Sequence, residues 1–331
     1  MTQVEVTTAD RSVGVMLPRD LPAGQVLELA RRADALGFDE LWVVEDLGFR
    51  GGTAQAAAVL AATDRIRVGI GVLPAAARNP AFTAMEIATL GQLFPGRVDV
   101  GLGHGMPGWM RSAGAWPRSP LTLLEEHLRA VRALVRGDVV ERDTDARYVT
   151  VDGVRLEPGA VPEITPRVLA GVRGPRSLAL AGREADGTVL AEPCAPEYVR
   201  AAVGHIAAAG PHRVVTYDVA VVHDDPAAAR EAVRPALAWI GEPDWDPHIA
   251  PLPFADEFRA LRRSAGSRAD FVRDLPDAWV DHLALAGTPA QVRAGIDARW
   301  DAGASCVVMV PVGPDPTGAL GDLARVLRPF P

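Results

Sequence analysis

Short apolar segments alternate with amphipathic segments from one end of this 331-residue chain to the other. The apolar segments are rich in Val, Ile and Leu and are bounded by Gly or Pro turns, as buried parallel strands are. The amphipathic segments have apolar residues at helical spacing, and the first one ends at Gly37, as helices with a glycine C-cap do. Strands are predicted over residues 12–17, 40–44, 66–73, 97–102, 167–172, 187–191, 213–222 and 305–310, and helices over residues 24–36, 80–94 and 120–136.

Eight strands in β/α alternation predict an α/β fold, a (β/α)8 TIM barrel that forms a single domain over residues 1–331. An open doubly wound sheet is the alternative, because a pattern alone does not fix the strand count. Two segments interrupt the repeat: residues 141–163, predicted as a short hairpin and loop after the fourth helix, and residues 241–274, an excursion before the last β/α unit. Such insertions cover the substrate side, carry a subunit contact or are plain surface loops.

Charge and composition exclude several classes of function. The formal net charge is −8 and no basic block is present, so the electrostatic footprint of a nucleic-acid-binding protein is missing. All 34 basic residues are Arg, which excludes a Schiff-base lysine and a Walker-type lysine. Cys194 and Cys306 lie far apart in the sequence, so neither a disulfide scaffold nor a cysteine-ligated zinc site is expected.

The amino terminus indicates no export signal, because residues 1–11 are polar and acidic and contain no apolar stretch. No segment approaches the roughly 18 uninterrupted apolar residues of a membrane span. We therefore expect a cytoplasmic protein that acts on a small molecule, with no membrane contact.

In a TIM barrel, the residues that follow the carboxyl ends of the strands build the active site. These positions contain no G-x-S-x-G elbow, no H-E-x-x-H and no H-x-H after the first strand, which argues against a triad hydrolase and a barrel metal centre. Glycines dominate instead, with few titratable side chains. Such a site suits a large flat cofactor that carries out the chemistry itself.

Five segments carry a family resemblance. In chain order they are GFDELWVVED, IRVGIGVLPAAARNP, FPGRVDVGLGHG, LAGVRGPRSLALAGREADG, and LAGTPAQV followed by AGASCVVMVPVG. Together they resemble the luciferase-like monooxygenase superfamily, the bacterial luciferase-like barrel, over about residues 12–326. The short chain and the glycine-flanked loops look closest to the branch of coenzyme F420-dependent oxidoreductases, which includes the methylene-tetrahydromethanopterin reductases.

The resemblance implies hydride transfer between the deazaflavin coenzyme F420 and a small, fairly apolar substrate, such as a ketone or alcohol, an imine or a conjugated alkene. Two alternatives stay open. One is an FMN-dependent luciferase-like monooxygenase that uses O2, and the other is a non-catalytic flavin-binding barrel subunit.

Several positions of the family's cofactor site can be matched in this chain. The bond between Gly71 and Val72 matches a non-proline cis peptide, in a bulge after the third strand that backs the central ring. The turn at Gly174 opens a helix whose free N–H groups favour a phosphate, with charge from Arg173 or Arg176; ordinary turn chemistry is the alternative. The matched cofactor positions are Glu45, Gly71, Val72, Asn79, His104, Gly105, Gly171, Val172, Arg173, Gly174, Arg176 and Ser177.

Three of the side chains at strand ends are candidates to exchange a proton with the substrate: Asp46, His104 and Glu45. Asp46 is favoured because many relatives place a histidine there, and hydride transfer to or from carbon needs a proton partner. A carboxylate such as Asp46 beside an apolar ring and a second carboxylate has a raised pKa, which suits proton exchange. The competing interpretation is that Asp46 is a helix N-cap. His104, between two glycines, is the second candidate, and a packed or solvated histidine is the plainer view.

Two further groups are interpreted with equally open alternatives. Asn79 lies in a segment where relatives contact the ring or the substrate, and a turn role before Pro80 competes with that interpretation. Met106, Trp109 and Trp116 predict an apolar substrate wall, against plain core packing. This segment lacks the carboxylate that sugar-phosphate dehydrogenases of the branch carry, so glucose 6-phosphate is a poor substrate prediction.

A homodimer is expected, because relatives commonly dimerise through helices early in the barrel. Residues 53–62 are small and apolar and predict a close-packed helix face, with burial against the neighbouring helix as the alternative. No metal is predicted.

Overall fold

The computed structural model describes residues 11–327. The prediction that no export signal is present concerns residues 1–11, of which all but the last lie outside the described residues. Within the described range, the apolar segments form nine parallel strands of one sheet. They are β1 Ser12–Met16, β2 Glu40–Val43, β3 Arg67–Pro74, β4 Val98–Gly103, β5 Arg167–Gly171, β6 Gly187–Leu190, β7 Arg213–Val222, β8 Leu285–Gly287 and β9 Cys306–Pro311.

The sheet closes into a barrel. Strands β1 to β6 pair in sequence, β6 pairs with β7, β7 with β9, and β9 with β1, which makes a closed ring of eight strands. The predicted TIM barrel is therefore confirmed, and the alternative of an open sheet is wrong. Strand β8 was not predicted, because it has only three residues and pairs with the far end of the long strand β7, where Leu285 lies opposite Ala220.

The helices surround the barrel, and many begin at a proline, whose fixed φ suits the first helical position. All three predicted helices are confirmed, and the first ends at Gly37 with a φ of 94°. No helix of residues 11–327 is long and apolar enough to cross a membrane. The helices are α1 Val26–Leu36, α2 Gly52–Ala61, α3 Pro80–Leu93, α4 Pro107–Ser112, α5 Pro120–Val135, α6 Pro175–Glu184, α7 Pro196–Ile206, α8 Pro226–Val233, α9 Asp246–Ile249, α10 Ala255–Ser264, α11 Arg268–Arg273, α12 Asp277–Leu283, α13 Pro289–Asp301 and α14 Pro316–Leu323.

Side chains alternate between two cores, as the pleat of a strand requires. On β9, Val307 and Met309 pack in the main cluster between strands and helices, whereas Cys306 and Val308 belong to a second cluster together with Trp42. The second cluster fills the barrel interior, and its other buried members are Leu169, Val189, Val215 and Tyr217.

The two predicted insertions differ in structure. Residues 141–163 contain little regular structure: one antiparallel bridge joins Val140 to Val154, and the Glu126 carboxylate accepts three backbone N–H groups of the loop. Residues 241–274 are mostly helical, because they include α9, α10 and α11. These helices share an apolar cluster with α8 and α12, in which the rings of Phe258 and Phe271 meet edge to face at 5.3 Å.

Candidate active site

The carboxyl ends of the parallel strands and the loops that follow them meet at one end of the barrel, which we call the mouth. The β3 bulge is its first distinctive feature: the pairing of β3 with β4 shifts register between Ile70 and Leu73. The bond between Gly71 and Val72 is cis, as the family resemblance implies. Both residues are partly exposed, so backbone atoms of the bulge face the mouth.

Three glycines on the neighbouring strands make room for the side chain of Val72. A Cβ atom on Gly101 or Gly103 would lie 2.8 or 2.7 Å from a Val72 methyl group, closer than real Cβ contacts, and one on Gly171 would overlap it. Gly171 was predicted as a cofactor contact, and its observed role is to seat the bulge. The need for glycine at the other two positions is a contact between strands that the sequence pattern does not display.

Tyr217 lies on the inner side of the bulge. A Cβ atom on Gly71 would overlap its hydroxyl group, and its ring meets that of Trp42 edge to face at 5.8 Å. Tyr217 is 4% exposed, and its Oη has no hydrogen-bond partner among the described residues. Burial raises the pKa of Tyr217, so the phenol is neutral. The sequence analysis missed this residue, because nothing local distinguishes it from other strand residues.

Glu45 is fully engaged by neighbouring groups. Arg78 donates to both carboxylate oxygens at 2.5 and 2.7 Å, and the backbone N–H of Gly52 donates at 2.8 Å. These contacts tie the end of β2 to the start of α2 and to the loop before α3. The geometry gives Glu45 a positioning role and leaves it poorly placed for the predicted proton exchange.

Asp46 is held by Arg19, whose Nη1 donates to it at 2.7 Å. The competing interpretation of Asp46 as a helix cap is wrong, because α2 begins after Gly51 without a side-chain cap. The loop after Asp46 exposes two large apolar side chains, Leu47 at 54% and Phe49 at 48%. Sequence analysis passed over this apolar rim, although both residues lie in the loop that follows the end of β2.

His104 and Ser177, both predicted to contact the cofactor, lie together: His104 Nε2 is 3.2 Å from Ser177 Oγ. Burial lowers the pKa of His104, so its imidazole is neutral at neutral pH. Its Nδ1 is buried and has no hydrogen-bond partner among residues 11–327. Gly105 has a φ of 71°, and a Cβ there would be 2.7 Å from the Met110 sulfur, so only glycine fits this turn.

The amino end of α6 presents backbone N–H groups without a competing side chain. Its N-cap is Gly174, and no side chain caps the helix. Arg176 is exposed in the first turn and forms no ion pair within the described range. Arg173 instead turns toward the second insertion: its guanidinium lies 4.8 Å from the Trp245 ring centroid, and Nη1 donates to Asp244 O at 3.3 Å. The neighbouring Val172 is buried in the main core.

Asn79 is the N-cap of α3, and its side-chain oxygen accepts the N–H of Ala81 at 2.9 Å. The turn role considered for it is therefore observed. The predicted substrate wall is partly exposed: Met106 precedes α4, Trp109 lies in α4, and the Trp116 ring is 5.3 Å from the Arg111 guanidinium.

Glu192 is the functional candidate that sequence analysis missed. It follows β6 by two residues, precedes Pro193 in a cis peptide, and its main-chain carbonyl accepts the Trp245 indole N–H at 3.1 Å. Its carboxylate forms no ion pair and no side-chain hydrogen bond within residues 11–327. Burial raises the pKa of Glu192, a hydrogen bond from its own backbone N–H and the charge of Arg173 oppose this, and Asp218 and Asp46 raise the pKa further. The available signal was an acidic residue just past a strand end.

A sequence model of the luciferase-like monooxygenase family matches residues 5–306. This match confirms the family that the sequence motifs indicate and, with it, the prediction of an enzyme. Among the described residues, no group of three His, Cys, Asp or Glu side chains is arranged to hold a metal ion.

Two proteins of known function are similar in sequence to this chain, one over most of its length and one over half. The 5,10-methylenetetrahydromethanopterin reductase of Methanolobus tindarius is 29% identical over 322 residues, which cover 92% of this chain and 95% of that protein. The F420-dependent glucose-6-phosphate dehydrogenase of Nocardia farcinica is 33% identical over 182 residues, 50% of this chain and 52% of that protein. The structure of the coenzyme F420-dependent tetrahydromethanopterin reductase from Methanopyrus kandleri covers 95% of this chain and 97% of its own, with a TM-score of 0.78 and 21% identity, and shares the fold.

Proposed function

Because the chain belongs to the luciferase-like monooxygenase family, we propose that it is a coenzyme F420-dependent oxidoreductase. It transfers a hydride between the deazaflavin and a small, fairly apolar organic substrate. The observation that carries the proposal is the convergence, at the mouth, of the β3 bulge with the His104–Ser177 contact and the uncapped amino end of α6. The relatives named above as F420-dependent support the choice of deazaflavin.

The residues at the mouth fit such a cofactor. The backbone of Gly71 and Val72 would back the ring system, and the partly exposed pair His104 and Ser177 would contact the cofactor side chain. The N–H groups at the start of α6, with Arg176 beside them, hold the phosphate. Glu45 and Asn79 act through the main chain that they position. When bound, the deazaflavin supplies or accepts the hydride, and the protein binds, orients and exchanges a proton.

The substrate class rests on the apolar side chains around the mouth. Leu47 and Phe49 expose large apolar surface after β2, and Met106, Trp109 and Trp116 are partly exposed after β4. An apolar wall of this kind suits a ketone or secondary alcohol, an imine or a conjugated alkene better than a sugar phosphate.

A parallel titration of the purified protein with F420 and with FMN tests which cofactor binds. The quenching of tryptophan fluorescence measures the binding. We expect F420 to bind at least tenfold more tightly than FMN. Selective binding of FMN would move the assignment to an oxygen-using monooxygenase, and binding of neither would overturn the proposal. Deazaflavin absorbance then reports turnover with isopropanol and acetone, with methylenetetrahydromethanopterin and with glucose 6-phosphate, of which the last should be the poorest.

The non-catalytic alternative is tested by the same assay. A flavin-binding subunit without activity would bind F420 and turn over no substrate under any condition. We expect instead that wild type turns over at least one of these substrates, and that His104→Ala weakens F420 binding severalfold and leaves the fold intact, because His104 lies against the proposed cofactor side chain.

We also propose that the protein is a cytoplasmic homodimer. The face predicted on α2 is partly used within the protomer, because Val59 and Leu60 are buried. The adjacent helix α3 exposes three large apolar side chains at helical spacing: Phe82, Met85 and Leu93. Together with the exposed alanines of α2, these residues form a face that suits a second copy; the alanines are Ala54, Ala58 and Ala61.

The dimer is tested by measuring the molar mass of the protein with light scattering as it elutes from a size-exclusion column. We expect Phe82→Ser with Met85→Ser to give a monomer, and Trp239→Ser, which changes an exposed apolar residue elsewhere, to leave the mass of a dimer. A wild-type monomer at micromolar concentration would exclude this face as a stable interface.

A further inference from the structure

We propose that Glu192, and not Asp46, is the residue that exchanges a proton with the substrate during hydride transfer. This inference rests on the proposed function and names the proton partner of that same site. It follows from the position of Glu192 at the mouth, from the way its main chain is fixed, and from the absence of an ion pair or a hydrogen bond to another side chain for its carboxylate within residues 11–327.

The main chain at Glu192 is fixed by the second insertion. The Trp245 indole N–H donates to Glu192 O at 3.1 Å, and His248 Nδ1 lies 3.1 Å from Pro193 O. Burial lowers the pKa of His248 to about 3, so its ring is neutral, and a neutral ring that meets a carbonyl at Nδ1 carries its proton there. The His248 ring also packs on Tyr198 at 4.1 Å. Residues 241–274 therefore fix the main chain of the segment after β6 and, with it, the position of Glu192.

The charged neighbours of Glu192 are committed to other partners. Arg173 stacks on Trp245, and Arg299 lies 2.9 Å from the other buried carboxylate, that of Asp218. Asp46 has its own partner in Arg19 at 2.7 Å.

The neutral neighbours add no charge to offset that of Glu192. Burial keeps the pKa of both the Cys194 thiol and the Tyr217 phenol far above its usual value, so neither is ionised. Glu192 is thus a desolvated carboxyl group with a raised pKa, which favours the protonated form that a proton donor needs.

The same comparison disfavours Asp46. Its carboxylate accepts a charge-assisted hydrogen bond from Arg19, and that contact would have to be broken or weakened before Asp46 could donate a proton. Glu192 has no such bond to break. The sequence favoured Asp46 because many relatives place a histidine there, and its pairing with Arg19, 27 residues away, is visible only in the folded chain.

The reduction uses one hydride and one proton, which reach the substrate from different groups. The carbon of a C=O or C=N bond accepts the hydride of the reduced deazaflavin, and the oxygen or nitrogen accepts the proton of Glu192, which gives the alcohol or amine. Oxidation of the reduced deazaflavin releases one further proton, and the Glu192 carboxylate takes up one proton to reset. In the direction of oxidation, each step is reversed and Glu192 accepts the proton of the substrate.

The first experiment measures the stability of the protein without cofactor or substrate. A folded-state pKa raised above the unfolded value means that Glu192 contributes stability while protonated, and that this contribution is lost as the pH rises through the raised pKa. Glu192→Gln does not titrate, so its stability relative to wild type should rise between about pH 5 and about pH 8 in urea unfolding.

Glu197→Gln is the matched control, because Glu197 lies five residues further on, after the same strand, and pairs with His282 at 2.9 Å. Although burial opposes it, hydrogen bonding and His282 lower the pKa of Glu197, so the stability of the control relative to wild type should fall as the pH rises to about 5 and stay constant from about pH 5 to about pH 8. A difference between Glu192→Gln and wild type that stays constant from about pH 5 to about pH 8, as the control should, or that falls over this range, would overturn the inference.

The second experiment separates binding from proton transfer. Glu192→Gln should bind F420 as tightly as wild type in the fluorescence titration, and should lower kcat about 100-fold or more, with loss of the pH dependence that wild type shows. Asp46→Asn should lower kcat far less. If Glu192→Gln reduces the substrate as fast as wild type, the inference fails and the proposed function stands. If wild type does not bind F420, the proposed function fails, whatever the stability measurements give.

Discussion

At the amino ends of the strands, the buried carboxylates of Glu40 and Asp99 lie beside arginines, whereas at the mouth the Glu192 carboxylate has no ion pair within residues 11–327. Arg213 pairs with Glu40 and lies 3.4 Å from Asp99, and Arg67 pairs with Asp99 at 3.0 Å. Ser12 and the Trp42 indole donate to the two oxygens of Glu40 at 2.7 and 3.0 Å. The hydrogen-bonding capacity of Glu40 is therefore largely filled from within the chain.

The two ends of the barrel differ in the groups that offset the desolvation of their buried carboxylates. Burial raises the pKa of both Glu40 and Glu192, but Arg213, Ser12 and Arg67 outweigh burial at Glu40 and leave its pKa below the usual value. At Glu192, the hydrogen bond from its own backbone N–H and the charge of Arg173 do not outweigh burial. Ion pairs that are completed within the chain stabilise the fold, and polar groups left without a partner are available to a ligand. The amino end is thus built for stability and the mouth for chemistry.

The largest expected effect comes from breaking the network at the amino end. Arg213→Met leaves two buried carboxylates without their shared partner, so the free energy of unfolding should fall by about 3–5 kcal/mol in urea denaturation at neutral pH. Affinity for F420, measured on the fraction that is folded, should change less than twofold, because this end lies away from the mouth.

Two controls make that result specific. Arg136→Ala removes an exposed arginine and should change stability little. The double variant Glu40→Gln with Arg213→Met should be more stable than Arg213→Met alone, because a neutral glutamine is cheaper to bury than an unpaired carboxylate. If Arg213→Met were no more damaging than Arg136→Ala, the contrast between the two ends would not hold.

The next effect tests the packing of the mouth. Gly71→Ala places a methyl group where the Tyr217 hydroxyl lies, and should destabilise the fold by about 1–3 kcal/mol. Gly71→Ala with Tyr217→Phe should recover much of that loss, because without the hydroxyl the nearest ring carbon is 3.0 Å away. A double-mutant cycle in urea measures this coupling. Additive losses would mean that Tyr217 does not lie against the bulge.

Elements whose causes are local were predictable from the sequence. The eight barrel strands follow from apolar runs, and the cap at Asn79 follows from an asparagine directly before a proline. The partners that define the site are remote in the sequence: Arg78 lies 33 residues from Glu45, and Trp245 lies 53 residues from Glu192. The contacts of Glu45 and the burial of Glu192 could not be predicted for the same reason, because burial and pairing arise only when the barrel closes.

A smaller effect should distinguish a positioning carboxylate at the mouth from a reacting one. Glu45→Gln weakens the contacts with Arg78 and Gly52, and should lower the free energy of unfolding by about 1 kcal/mol. The pH dependence of kcat should stay as in wild type, since Glu45 positions α2 and does not exchange the proton. A shift in that pH profile as large as the one produced by Glu192→Gln would return Glu45 to the reaction.

The smallest effect concerns the amino end of α6. Arg176 and Arg183 are both exposed on this helix, one in its first turn and one in its last. Arg176→Ala should weaken F420 binding roughly threefold to tenfold, because it removes one cation beside N–H groups that already favour a phosphate. Arg183→Ala removes the same charge far from that site and should have no such effect. The loss caused by Arg176→Ala should shrink as salt is added, since exposed charges are screened, whereas a loss caused by altered packing would not respond to salt.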